Sequence, residues 1–157
     1  MREVKNPFEG IEGYECFGCA PGNQTGLRMK FWEDGDDIVC KWQPESRYQG
    51  WNDVLHGGIQ TTLMDEIASW VIFVKLLTSG VTSRLDVELL KPVNVSKGTI
   101  TLRARMGDMK KRLAFIPVEL FDGENVLCAR GTITYFVFPR EYVDRTMMKI
   151  DYKQFVS

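Results

Sequence analysis

The chain has 157 residues and a mass of 18.0 kDa, the size of one domain with a core of its own. Hydrophobic residues make up 44% and charged residues 26%, which excludes a disordered or fibrous protein. The formal net charge of −1 lacks the basic bias of most nucleic-acid-binding proteins. We therefore expect a single domain over residues 1–157, with its core at about 14–138 and a charged C-terminal tail at 139–157.

Two features of the sequence argue against export and membrane insertion. The first ten residues lack the apolar stretch of a signal peptide. The most apolar run, residues 67–77, has 11 residues and is interrupted by Lys75, so it is too short to span a bilayer. We expect a cytoplasmic protein with no nucleic-acid partner and no membrane span.

The first motif in chain order is a lone Cys-x-x-Cys formed by Cys16 and Cys19. A structural zinc site needs further ligands at comparable spacing, and Cys40, Cys128 and the single histidine, His56, are isolated. A thioredoxin-like redox motif lies at a strand-to-helix turn, whereas this one leads into a loop and then a strand. We expect plain reduced thiols and no metal; zinc or redox chemistry is the less favoured alternative.

The predicted elements before residue 57 are strands. Residues 27–42 alternate apolar and polar side chains on either side of Asp34-Gly35, which predicts two strands joined by a turn. Residues 44–58 are rich in turn formers and predict a loop. Residues 58–78 follow, with no Pro and no Gly after Gly58, and predict a helix of about five to six turns.

Four further strands are predicted after the helix. Residues 80–92 carry apolar side chains at odd positions and end at Pro92, residues 98–109 alternate in the same way, and residues 112–121 and 125–138 flank Asp122-Gly123. One helix cannot cover both faces of a parallel sheet. The count therefore predicts an α+β domain, in which an antiparallel sheet of five to six strands wraps around one long central helix.

The predicted helix is apolar except for a few positions, among them the adjacent acids Asp65 and Glu66. A helix this apolar is enclosed on most sides, and a carboxylate there is costly unless it is paired. One alternative is that both acids lie on a solvated strip, or that Asp65 caps neighbouring backbone. The other is that one of them is a catalytic base or nucleophile.

The helix begins at Gly57 and Gly58, directly after His56. Glycine at a helix N-terminus lets a substrate approach the free backbone N–H groups, which together with the helix dipole favour a developing oxyanion. His56 either positions substrate or water, or simply packs the loop. Gly57 and Asp65 are eight residues apart, which is about 12 Å along a helix. If both act on one carbonyl, the site is shared between two subunits.

Three segments carry a family resemblance. "HGGIQTTLMDE" resembles the motif of hotdog-fold acyl-CoA thioesterases of the phenylacetyl-CoA type. "CFGCAPGNQTGLRMKF" and "VTSRLDVELLKPV" are similar to flanking segments of that family, in the same order. The resemblance implies a hotdog fold, a homodimer or dimer of dimers, and hydrolysis of acyl-CoA without metal or organic cofactor.

The resemblance also implies roles by position. Asp65 would be the base or nucleophile, and the Gly57 N–H would polarise the thioester carbonyl. His56 would help to position substrate or water, and Thr82 would lie across from the acid. One departure is Gly50, which stands where some family members carry an Asn; the nearest Asn is Asn52.

Coenzyme A phosphates need positive charge, and the candidates are five basic residues: Lys110, Lys111, Arg112, Arg84 and Lys91. The alternative for residues 110–112 is a solvated hairpin turn. For the whole chain, the alternative to a thioesterase is a non-catalytic acyl-CoA or lipid-binding protein of the same fold, with a hydratase or dehydratase ranked last. A serine hydrolase finds no support, since there is no G-x-S-x-G motif.

Overall fold

The structure is a computed structural model and describes residues 1–146 and 150–157. Its sheet has eight antiparallel strands: β1 (Arg2–Val4), β2 (Phe31–Asp34), β3 (Asp37–Trp42), β4 (Gly80–Leu89), β5 (Ile100–Arg105), β6 (Met109–Lys110), β7 (Leu113–Phe121) and β8 (Leu127–Val137). The strand order is β1-β2-β3-β5-β7-β8-β4, and β6 pairs only with β7. The predicted α+β class is confirmed. The two very short strands, β1 and β6, are additional to the predicted ones.

The long helix, α1 (Gly57–Val71), continues as a π-turn over Ile72–Leu76. It ends at Leu76, two residues before the predicted end at 78, because Leu77 adopts a left-handed conformation with φ of 53°. The helix packs across the concave face of the sheet and buries seven of its side chains: Gln60, Leu63, Met64, Ile67, Ala68, Trp70 and Val71. Within the described ranges, no helix is both long and apolar enough to cross a membrane.

The prediction of a strand at residues 27–31 is wrong for its first half. Leu27 and Met29 are buried as the alternation predicted, but Arg28 has φ of 50° and the strand begins only at Phe31. The backbone N–H groups of Leu27 and Met29 instead donate to the carbonyls of residues 17 and 18. Their partner is therefore the loop that carries the Cys-x-x-Cys motif, and this loop lies against the core.

No regular element was predicted in the charged tail, 139–157. The structure has a second helix, α2 (Arg140–Thr146), and a 3-10 turn at Tyr152–Val156; the residues of the tail at 147–149 lie outside the described ranges. Phe155 is fully buried, and its ring centroid lies 5.3 Å from those of Trp70 and Phe73. The sequence pattern missed this because a few apolar residues among charges show no periodicity.

Candidate active site

The N-terminus of α1 is capped by its own histidine. The His56 Nδ1 accepts a hydrogen bond from the Gly58 N–H at 2.9 Å. A Cβ on residue 58 would lie 3.0 Å from this nitrogen, so glycine lets the ring fold over the helix end. In the neutral imidazole, a cap through Nδ1 leaves the proton on Nε2. His56 therefore holds the loop and also keeps an N–H donor for another group.

The Gly57 N–H is the remaining donor of interest at this helix end. As the first helical residue, Gly57 has no intrahelical acceptor, and none of the other hydrogen bonds found within residues 1–146 and 150–157 uses its N–H. Gly57 and His56 line an open hollow of about 480 Å³, together with Trp51, whose side chain is 85% exposed. A carbonyl oxygen in this hollow would meet a free N–H at the positive end of the helix dipole.

Asp65 lies in the middle of α1 and accepts two side-chain hydrogen bonds. Thr82 donates its hydroxyl to Asp65 Oδ1 at 2.7 Å. Tyr135 donates to the same oxygen at 3.0 Å and also lies 3.0 Å from the Asp65 carbonyl oxygen. Because both donors contact Oδ1, the structure gives Oδ2 no partner among the described side chains. The carboxylate is held in one orientation, with one oxygen left for chemistry.

A β-bulge in β4 turns the side chain of Thr82 towards α1 and Asp65. Thr82 pairs with Tyr135 on β8 and Leu85 pairs with Ile133, with the irregularity falling between residues 82 and 84. Tyr135 and Ile133 are two residues apart and so share a face of the sheet. Thr82 therefore faces α1 together with the odd-numbered apolar residues that follow the bulge, Leu85, Val87 and Leu89, whereas Val81 faces the other side of the sheet.

Tyr135 was missed by the sequence analysis. Its side chain is buried, and burial, followed by the nearby Asp65 carboxylate, raises its pKa well above the usual value. The phenol therefore stays protonated and donates to Asp65. The available signal was a Tyr at a core-facing position of a strand, because a buried hydroxyl requires a polar partner.

We expect Tyr135→Phe to lower kcat about tenfold, the effect of losing a hydrogen bond worth about 1.4 kcal/mol, and to change KM little. The carboxylate would keep Thr82 as its only donor and rotate more freely. Steady-state kinetics with the best acyl-CoA substrate measure this, and Tyr142→Phe on the exposed face of α2 is the matched control. Equal kinetics for the two variants would contradict a positioning role for Tyr135.

Within one chain, the Gly57 N–H and the Asp65 carboxylate are not brought together. Gly57 is at the N-terminus of α1 and Asp65 is two turns further on, about 12 Å away along the axis. Strand β4, beside Asp65, is the open edge of the sheet. Leu85 and Leu89 on its helix-facing side are 46% and 50% exposed, an unusual feature for an edge strand.

The five basic candidates are all surface residues. Lys110, Lys111 and Arg112 form the tight turn between β6 and β7, with Lys111 at φ of 54°. In the part of the chain that the structure describes, none of the five forms an ion pair, whereas eight other basic residues do: Arg2, Arg47, Lys75, Lys97, Arg103, Arg105, Arg130 and Arg140.

The strand register gives the location of this turn. Leu113, directly after it, pairs with Phe136, which in turn pairs with Val81. The next rung joins Ala114, Tyr135 and Thr82. The basic turn is therefore at the same end of the sheet as the hydrogen bonds to Asp65, on strands spaced about 4.8 Å apart.

Glu66 faces away from Asp65, as adjacent helical residues do. Its Oε1 accepts from the Trp70 indole N–H at 3.2 Å and from the Cys16 thiol at 3.5 Å. Burial raises the pKa of Glu66 to about 7. A hydrogen bond from Cys19, together with backbone N–H groups, lowers the pKa of Cys16 to about 5. The same hydrogen bond, followed by burial, raises the pKa of Cys19 well above its usual range. Glu66 thus belongs to a second cluster, separate from that of Asp65.

Comparison with known proteins identifies the fold. Residues 52–129 match the model of the thioesterase superfamily. The chain is 24% identical to a thioesterase from Haemophilus influenzae, with a TM-score of 0.63 over 71% of this chain and 79% of that one. The fold is the hotdog thioesterase fold, as the resemblance implied.

Two further proteins are similar to this chain. A protein from Bacillus halodurans, solved with CoA, is 20% identical with a TM-score of 0.63, over 72% of this chain and 76% of that one. A Saccharolobus solfataricus protein provisionally named an esterase is 30% identical over 86 residues, or 54% of this chain and 56% of that relative. The chain thus spans little more than half the length of this curated relative.

Proposed function

We propose that this protein hydrolyses an acyl-CoA thioester to a free acid and CoA, at a site shared between two protomers. The observation that carries the proposal is the Asp65 carboxylate, anchored through one oxygen by Thr82 and Tyr135 and free at the other. A protein that only binds acyl-CoA has no need for an oriented acid in this position. The match to the thioesterase superfamily supports the reaction class.

The proposed dimer forms across β4. Within residues 1–146 and 150–157, no strand pairs with its outer edge, and its half-exposed leucines lie beside α1. Pairing two copies of β4 about a two-fold axis would satisfy the open backbone groups and cover this apolar surface. The two α1 helices then run antiparallel, which brings the Gly57 N–H of one protomer towards Asp65 of the other. A dimer of dimers is a further expectation of the family resemblance.

In the proposed reaction, the thioester carbonyl oxygen accepts the Gly57 N–H of one protomer. The free oxygen of Asp65 in the other protomer either takes a proton from a water that attacks the carbonyl carbon, or attacks that carbon itself. The C–S bond then breaks and CoA leaves as the thiolate, which takes up the proton released from water. If Asp65 attacked the carbon itself, a water then hydrolyses the mixed anhydride between the acyl group and Asp65 and releases the free acid. The His56 Nε2–H is placed to orient substrate or water. These groups accomplish the hydrolysis without a metal or organic cofactor.

The proposed CoA site is the basic turn Lys110, Lys111 and Arg112, with Arg84 as a further contact. Lys91 follows the other end of β4, where its N–H donates to the Cys128 carbonyl, and lies away from this turn. Unpaired cations on an exposed turn are suited to phosphate oxygens. The register relating this turn to Thr82 fits a ligand that extends from the surface to Asp65. The similar fold of the Bacillus halodurans protein solved with CoA supports the same ligand class.

The decisive experiment is hydrolysis of an acyl-CoA panel with short, medium, long and aryl acyl groups, followed by release of the CoA thiol. Turnover of one class, with the acid product identified by mass spectrometry, supports the proposal and identifies the acyl group. Tight acyl-CoA binding without turnover of any member would instead favour a non-catalytic acyl-CoA-binding protein. Failure to bind or hydrolyse any of them would contradict both.

A shared site predicts complementation between two inactive variants. We expect Asp65→Asn and Gly57→Pro homodimers each to be inactive, while their heterodimer has one intact site and about half the wild-type turnover per dimer. Co-expression with two different affinity tags and two-step purification isolates the heterodimer for assay. If the heterodimer is no more active than either homodimer, the Gly57 N–H of one protomer and Asp65 of the other do not act at the same site.

We propose the cytoplasm as the location of this activity. All four cysteines are free thiols, as is usual in reducing compartments. Alkylation of the protein in intact cells and after cell lysis would test this: the number of reduced thiols should be the same, and a disulfide found in cells would contradict it.

A further inference from the structure

A second cluster of reactive side chains lies outside the proposed active site. The thiol sulfurs of Cys16 and Cys19 and a carboxylate oxygen of Glu66 all lie within 4.8 Å of one another. The two cysteines come from the N-terminal loop and the acid from the middle of α1. Nothing in the proposed hydrolysis uses these three groups.

The loop is built so that the carboxylate can lie directly over it. The Ala20 N–H donates to the Cys16 carbonyl at 3.1 Å, which closes the turn. A Cβ on Gly18 would lie 2.4 Å from the carboxyl carbon of Glu66. Any side chain at position 18 would therefore push the acid away from the two sulfurs. A loop that merely covered the helix would not require this approach.

Two neighbouring side chains form hydrogen bonds with the cluster. The Trp70 indole N–H donates to Glu66 at 3.2 Å. The Tyr14 hydroxyl accepts from the Asn6 amide at 3.0 Å and shares a hydrogen bond with the Cys19 sulfur, 2.9 Å away, in which either group can donate. The indole N–H can only donate, so it stabilises a deprotonated carboxylate.

No cation balances these groups. Within residues 1–146 and 150–157, no Lys, Arg or His side chain forms a hydrogen bond or ion pair with either cysteine or with Glu66. Three ionisable groups, partly or fully buried and with no basic side chain beside them, favour a bound cation, which binds them in their deprotonated forms. Two sulfurs and one oxygen are the ligand types of zinc, and a fourth, open position suits water.

We propose that Cys16, Cys19 and Glu66 bind one zinc ion, with water as the fourth ligand, and that the ion fastens the N-terminal loop to α1. Tetrahedral zinc–sulfur geometry requires sulfurs about 3.8 Å apart, which side-chain rotation within the cluster can supply. Glu66 is adjacent to Asp65 in α1, so the ion would brace the helix on the side opposite Thr82. This proposal is independent of the proposed hydrolysis and departs from the expectation of plain thiols.

The test is to reduce the full chain, add zinc sulfate, remove the excess and measure zinc by elemental mass spectrometry. We expect one zinc per chain and a higher Tm than in chelator. Cobalt substitution should give sulfur-to-metal charge-transfer absorption in the unmutated protein, a readout that requires no variant to fold. Cys16→Ser, Cys19→Ser and Glu66→Gln should each raise the zinc Kd more than about 100-fold, and Tyr14→Phe about tenfold.

The matched controls are Cys40→Ala and Cys128→Ala, which remove buried thiols outside the cluster and should retain one zinc per chain. Three results would overturn the proposal. One is a fully reduced chain that retains no zinc, and another is zinc bound equally well by all three cluster variants. The third is a Cys16–Cys19 disulfide that forms in air in the presence of equimolar zinc, which would indicate a redox pair.

Discussion

Replacing Asp65 with Asn is expected to lower kcat by 10²- to 10⁴-fold, the usual range for a general acid–base group, while acyl-CoA still binds. Asn has the same shape and still accepts hydrogen bonds from Thr82 and Tyr135 through its carbonyl oxygen. The amide nitrogen then stands where the free carboxylate oxygen stood, and it can neither accept a proton nor attack a carbonyl carbon. Thiol release measures kcat, and calorimetric titration with a non-hydrolysable CoA thioether measures binding.

The matched control for this substitution is Asp36→Asn in the exposed β2–β3 turn, which changes the net charge equally and should leave kcat unchanged. Two results would remove Asp65 from the mechanism: near-wild-type turnover in Asp65→Asn, or a loss of activity that merely follows a loss of acyl-CoA binding. The second would assign the carboxylate to ligand binding.

Gly57→Pro is expected to lower kcat/KM by about 10²- to 10³-fold, the effect of removing one oxyanion donor. Proline lacks the backbone N–H but is well tolerated at the first position of a helix. The preceding residue must be extended, and His56 already has φ of −56° and ψ of 134°. The substitution therefore deletes the donor while it preserves the helix, as circular dichroism would verify.

Gly57→Ala is the paired control because it adds a Cβ but keeps the N–H. That Cβ would lie 2.8 Å from the Leu89 Cδ1, the end of a flexible side chain that can move. We expect a small loss of activity for Ala and a large one for Pro. Similar losses for both would mean that crowding against Leu89, rather than the missing N–H, impairs the enzyme.

The fold was predictable because its main signals are local. A stretch of about 20 residues without proline, followed by strands with a period of two, defines the helix and most of the sheet. With a single long helix and about six strands, the simplest architecture is an antiparallel sheet wrapped around that helix. The family resemblance also named Thr82, and the structure gives it a hydrogen bond to Asp65.

What the sequence did not reveal depends on contacts between distant segments. Leu27 and Met29 have the alternation of a strand, but their backbone partners are in the Cys-x-x-Cys loop. Tyr135 reaches Asp65 across 70 residues of sequence. Glu66 and the two cysteines are about 50 residues apart, so spacing rules for metal ligands could not group them. In each case, the information lies in tertiary packing rather than in periodicity.

The bulge at Ser83 lets Thr82 and the leucines of β4 lie on the same side of the sheet, which a regular strand would not allow. On one side of it, β4 holds a hydroxyl against the acid; on the other, it offers leucines to the proposed partner chain. Because the extra residue shifts the phase between these halves, loss of one residue would turn Thr82 outward while the leucines kept their side. A deletion at this single position would therefore take the hydroxyl away from the acid and leave the surface proposed for assembly in place.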